Sequence, residues 1–193
     1  MRFVAKEFSS TLEIKKSKFI AHIAPYSQFD SLMERLKEEH PKGRHFVYAY
    51  RYLNEFDQIV ENSSDDGEPK GTSGRPSLAV LNGGEIINSA VIIVRYFGGI
   101  KLGTGGLVKA YSDAVNLVLQ NSQLFKYVKL SKKTITLNYS YLSQIEYDIA
   151  SLDINIVDKQ FNQDVTLILE ASKDKFEELE QKLFRDVKLE DIE

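Results

Sequence analysis

Apolar and polar side chains along the first hundred residues recur with two different periods. In "TLEIKKSKFIAHIAPY", residues 11–26, they alternate in places and are rich in Ile and Phe, which predicts strands ending at Pro25. In "FDSLMERLKEEH", residues 29–40, Phe29, Leu32, Met33 and Leu36 fall at helical spacing, and Pro41 follows the end. "HFVYAYRYL", residues 45–53, alternates again and predicts an aromatic strand. The pattern then breaks. "ENSSDDGEPKGTSGRP", residues 61–76, is a sixteen-residue run of turn formers and charges, predicted to be one long loop. A short helix is predicted over 76–84, with Pro76 in its first turn and Asn-Gly closing it. "IINSAVIIVRYF", residues 86–97, contains four consecutive apolar residues from Val91 to Val94, so a strand buried on both faces is expected. A helix follows from 104 to about 121, with Leu107, Tyr111, Ala114, Val115 and Val118 on one face.

The last sixty residues read more simply. A strand over 133–139, a helix over 141–152, two strands at 154–161 and 164–171 hinged on Asn162 and Gln163, a helix over 173–186 and a strand over 187–192 give the order βαββαβ. That order is the ferredoxin-like split βαβ unit. Composition marks the same division. All 11 glycines and all 4 prolines lie before Leu107. Residues 1–131 carry 17 Lys and Arg against 14 Asp and Glu, while residues 132–193 carry 8 against 14. A first domain over 1–131 and a second over 132–193 are therefore expected.

Net charge is −3, so the whole chain exerts no strong pull on nucleic acid. It has no cysteine, which excludes disulfides and thiolate metal sites and suits a reducing compartment. No export signal and no membrane span are legible, and a cytosolic protein is expected.

The candidate chemistry lies at two polar junctions. Five of the nine residues from Gly98 to Gly106 are glycine: Gly98, Gly99, Gly103, Gly105 and Gly106. Glycine costs a helix about 1 kcal/mol relative to alanine, so local propensity is overruled at this strand-to-helix junction. Either positive φ is needed in a turn, or backbone N–H groups are being opened to a ligand. The first turn of a helix presents unpaired N–H groups with partial positive charge and attracts anions. Thr104 stands where a Walker A loop would have lysine, and Val108 breaks the dinucleotide pattern, so neither named phosphate loop is present. The other junction, residues 64–76, carries Asp65, Asp66 and Glu68 beside Lys70 and Arg75, with Ser73 and Gly74 at the next helix start. Ser73 is expected to cap that helix. The two loops are expected to face each other across one cleft, with Arg75, Arg95 and Lys101 at its rim. His40 and His45 read as surface or rim residues. No metal set, no cofactor motif and no nucleophile–base pattern is legible, and no catalytic residue is assigned.

Together "SDDGEPKGTSGRP" and "VRYFGGIKLGTGGLVKAY" resemble the signature of the Impact family, bacterial YigZ-like branch, and "KSKFIAHIAP" and "HFVYAYR" extend the likeness. The resemblance implies an α+β, two-domain protein: a ribosomal protein S5 domain 2-like fold followed by a ferredoxin-like domain, a pair similar to domains IV and V of elongation factor G. It implies a role in translational control, with RNA, the ribosome or a regulatory protein as partner. Eukaryotic members are translational regulators that act through an added RWD domain, and that interaction is not carried over to this chain. Two functions are expected from these readings. One is a translation-associated regulator that binds RNA phosphates through Lys70, Arg75, Arg95, Lys101 and Lys109, with Tyr96 and Phe97 available to stack on bases. The other is an enzyme or sensor that holds a small phosphorylated ligand or nucleotide in the same cleft, with Asp65 and Asp66 as base or magnesium ligands.

Overall fold

The structure, a computed structural model, describes residues 1–184 and 187–192. It divides into two compact units, Met1–Tyr127 and Val128–Glu193. The division falls four residues before the one expected from composition. Residues 131 and 132 lie inside a strand, Leu130–Leu137, because the changes in charge and glycine content do not track the connection itself.

The first unit runs β1 (Arg2–Val4), β2 (Phe8–Ile14), β3 (Ser17–Pro25), α1 (Phe29–Glu39), β4 (His45–Leu53), β5 (Ile59–Ser64), α2 (Gly74–Gly83), β6 (Ser89–Tyr96), α3 (Gly103–Gln120) and β7 (Leu124–Lys126). Five strands form one sheet in the order β2-β3-β6-β4-β5, with every neighbouring pair antiparallel. β1 and β7 make a separate two-stranded ribbon. β6 is central, as its unbroken apolar run requires: seven of its eight side chains are buried.

Alternation along the strands divides the core. Phe19, Ala21, Ile23, Val47, Ala49, Val91 and Ile93 pack with Leu81 of α2 and the buried face of α3. Ala24, Ile92 and Val94 face Leu32 and Leu36 of α1 on the other side. This arrangement is the S5 domain 2-like fold. The expected sixteen-residue loop is shorter than the pattern suggested. Its first four residues complete β5, an edge strand, and only residues 65–73 remain as loop.

The second unit runs β8 (Leu130–Leu137), α4 (Leu142–Ser151), β9 (Asn155–Phe161), β10 (Val165–Ser172), α5 (Lys173–Glu180) and β11 (Leu189–Asp191). Its strands are ordered β11-β8-β10-β9 and all pair antiparallel, which is the ferredoxin-like arrangement. Ile135, Ile145, Ile149, Leu167, Phe176 and Leu179 build its core. The second helix was expected to reach residue 186. α5 ends at Glu180, and residues 185 and 186 lie outside the described residues. No helix among the described residues is long and apolar enough to cross a membrane.

Candidate anion-binding cleft

Antiparallel register sets Phe19, Arg95 and His45 in one row across β3, β6 and β4. The ring of Tyr111, from α3, meets Phe19 edge-on with centroids 5.1 Å apart. Into this row the 65–73 loop inserts Glu68. Arg95 Nη1 donates to Glu68 Oε1 at 2.5 Å, and the Tyr111 hydroxyl donates to the same oxygen at 2.8 Å. His45 Nε2 stands 3.9 Å from that oxygen. Arg95 is 5% exposed and Glu68 8%, so the ion pair is buried. Burial, reinforced by the Glu68 carboxylate, pushes the Tyr111 phenol above its ordinary range and keeps it a donor. Arg95 Nε is buried with no partner, and the guanidinium lies 5.4 Å from the Phe19 ring centre and 5.7 Å from that of Phe97. His45 Nδ1 lies 2.8 Å from the carbonyl of Asp66. A carbonyl only accepts, so Nδ1 carries the proton, and in the neutral ring Nε2 is the free acceptor.

Above this floor is a cavity of about 470 Å³. Arg44, His45, Gly67, Glu68 and Pro69 line one side, Phe97, Lys101, Leu102, Gly103 and Thr104 the other, with Arg95 and Leu107 completing the wall. The two loops thus meet across one cleft. Of the residues singled out from the sequence, Glu68, Arg95, Phe97, Lys101, Gly103 and Thr104 reach it, while Tyr96 and Lys109 do not. Arg95 forms the floor and not a rim, because its charge is neutralised by Glu68 below the surface. Lys70, Ser73, Gly74, Arg75, Gly98, Gly99, Gly105 and Gly106 are not part of the wall, and neither are Asp65 and Asp66. His45, expected only as a surface or rim residue, stands in the wall, and Arg44 was not singled out. The alternation of β4, which puts residues 45, 47 and 49 on one face opposite Arg95, was the signal that could have found His45.

The two helix starts differ. Ser73 does not cap α2 as expected. Instead Asp65 Oδ1 accepts from the Ser73 and Gly74 amides at 3.1 and 2.8 Å and from the Ser73 hydroxyl at 2.7 Å, while Oδ2 accepts from the Gly71 amide at 2.7 Å. The α2 start therefore already holds an anion supplied by the chain. Burial opposes ionisation of Asp65, but these bonds outweigh it and lower its pKa. Asp66 Oδ2 accepts from the Phe46 amide at 2.6 Å and is also structural. At α3 the N-cap is Leu102, which makes no side-chain capping bond, and the first turn holds no acid. No group of three or more His, Asp or Glu side chains among the described residues could hold a metal ion.

The glycines divide by cause. A Cβ on Gly98 would lie 2.0 Å from the Lys16 carbonyl carbon, so Gly98 is there for the close approach to the β2–β3 turn. Gly99 and Gly103 have φ of +86° and +73°. Gly105 has neither constraint, and nothing lies within 4 Å of its Cβ position.

The Impact N-terminal domain family matches residues 15–119. A family described as a domain of unknown function, DUF1949, matches residues 135–184. The chain is 37% identical over 174 residues to the IMPACT family member YigZ of Escherichia coli (strain K12), covering 89% of this chain and 85% of that one. It is 30% identical over 167 residues to the IMPACT family member YvyE of Bacillus subtilis (strain 168), covering 84% and 76%. The crystal structure of a protein described only as hypothetical aligns over 100% of this chain and 97% of its own, at 34% identity and a TM-score of 0.68.

Two sets of variants test these assignments in thermal and denaturant unfolding. Gly98→Ala should lose about 3 kcal/mol by overpacking against Lys16, whereas Gly105→Ala should hold or gain up to about 1 kcal/mol. Equal losses would show that both glycines serve packing. Asp65→Ala should lose about 2 kcal/mol near neutral pH. The folded-state pKa of Asp65 lies below its unfolded value of about 3.9, so its contribution is complete above that value. It should fade as pH falls through the folded pKa, and the two proteins should converge in acid. A constant gap down to the lowest pH at which both fold would contradict the Asp65 assignment.

Proposed function

We propose a function from one premise, that the chain belongs to the Impact family: it is a translation-associated regulator whose first unit engages RNA phosphates, on the ribosome or off it, at the cleft before α3. The observation that carries this reading is the convergence of both signature loops on one cavity. There, Arg44, Arg95 and Lys101 stand against a single carboxylate, Glu68. Phosphate contacts need only such cations and the free N–H groups of a helix start. Phe97, 43% exposed and beside the Arg95 guanidinium, supplies a ring on which a base can stack. The reading places the protein in the cytosol with the translation machinery and admits a regulatory protein as a further partner. Lys70 and Arg75, outside the wall, have no part in it.

One observation favours a second reading. A cavity of about 470 Å³ over a buried cluster of Glu68, Arg95 and Tyr111 also fits an enzyme or sensor for a small phosphorylated ligand.

Co-sedimentation with ribosomes and binding to unstructured RNA across a salt series separate the two. RNA binding should weaken steeply with salt. Arg44→Glu combined with Lys101→Glu should lower the slope of log affinity against log salt by about 2, while Arg75→Glu should leave it unchanged. An unchanged slope in the folded double variant would remove the cleft from RNA binding.

A further inference from the structure

We propose that the cleft takes a terminal phosphate monoester on a nucleotide, either the phosphorylated end of an RNA strand or a free mononucleotide. This rests on the phosphate-binding reading above and narrows it.

The open start of α3, an eighteen-residue helix, supplies unpaired N–H groups and the positive end of a dipole. That feature alone selects no ligand. The independent observation is Arg95. It is 5% exposed, lines the cavity and gives Nη1 to Glu68, yet its Nε is buried with no partner. A buried donor left without a partner asks for an explanation, and here it belongs to a guanidinium that lines the cavity and against which an anion would seat.

Charge then distinguishes the kinds of phosphate. Among the wall side chains alone, Arg44, Arg95 and Lys101 oppose one carboxylate, Glu68, a surplus of two positive charges within the wall itself. A phosphate monoester carries a charge of about −1.5 to −2 at pH 7. A phosphodiester within a strand carries one. The donors agree with this choice. The α3 amides, the Thr104 hydroxyl and the Lys101 ammonium can serve three terminal oxygens, whereas a diester offers two.

The rest of the wall fits the nucleoside. Both hydrogen bonds to the Glu68 carboxylate fall on Oε1, which leaves Oε2 as an acceptor for a ribose hydroxyl or a base amino group. Phe97 presents a ring for the base. The volume of about 470 Å³ lies in the range of pockets that enclose ligands of this size.

The test is fluorescence anisotropy on the full chain with a short single-stranded RNA carrying a 5′-phosphate, the same RNA with a 5′-hydroxyl, and a 3′-phosphorylated form. Unlabelled nucleoside 5′-monophosphate and inorganic phosphate serve as competitors. At least one end-phosphorylated RNA should bind about tenfold or more tighter than the hydroxyl form. Lys101→Ala and Thr104→Val, with folding checked by circular dichroism, should shrink that gap. A mononucleotide competing at the concentration of the phosphorylated RNA identifies free nucleotide as the source of the chemistry. A need for about a hundredfold more identifies the strand end. Mononucleotide binding without RNA binding would support the inference and sink the RNA reading. Equal affinity for phosphorylated and hydroxyl RNA, with the salt slope intact, would overturn the inference and leave the RNA reading standing. Absence of binding by every probe would overturn both.

Discussion

Glu68 and Arg95 form a buried ion pair that joins three segments far apart in the sequence. Glu68 belongs to the loop between β5 and α2, Arg95 to the end of the central strand, and Tyr111, which shares the same carboxylate oxygen, to the third turn of α3. Removing one member of such a pair leaves an uncompensated buried charge and costs about 3–5 kcal/mol. The loop is therefore held against the sheet and α3 against the loop. The cavity exists because that contact closes its floor while the glycine-rich segment above leaves its mouth open.

The treatment of two neighbouring helix starts shows how the chain distributes negative charge. At α2 a carboxylate eight residues before Ser73 occupies the position an external anion would take, through contacts to Gly71, Ser73 and Gly74. At α3 no side chain does so. The cluster of glycines that separates β6 from α3 is accordingly not one device. Gly98 lets the chain pass Lys16, Gly99 and Gly103 take backbone conformations with positive φ, and Gly105 meets neither constraint, with open space at its Cβ position. The three cases are indistinguishable in sequence, where each residue is only a glycine.

Much of the fold was legible because the core obeys simple periods. Four apolar residues in a row, Val91 to Val94, do mark the central strand, and the βαββαβ order of the second unit follows from alternation and helical spacing. β5 escaped because it is an edge strand whose last four residues are Glu61, Asn62, Ser63 and Ser64, with no apolar face to give a period. β1 and β7 are three residues long and show no pattern of their own. At the site, the meeting of the two loops could be reasoned from strand order, but three placements could not. Asp65 caps α2 through a loop that closes in space. Arg95 was expected at a rim; arginine is rarely buried, and its pairing with Glu68 is what permits it here. His45 entered the wall through register with Arg95, a relation between strands and not within one.

The account stands on one contrast, an open start at α3 against a filled one at α2. Titrating inorganic phosphate into the full chain while following backbone amide resonances measures it directly. The amides of Gly103, Thr104, Gly105 and Gly106 should shift together and saturate, while those of Gly71, Ser73 and Gly74 stay fixed on Asp65. Saturable shifts at Gly71, Ser73 and Gly74, or no shifts at the α3 start, would contradict the account.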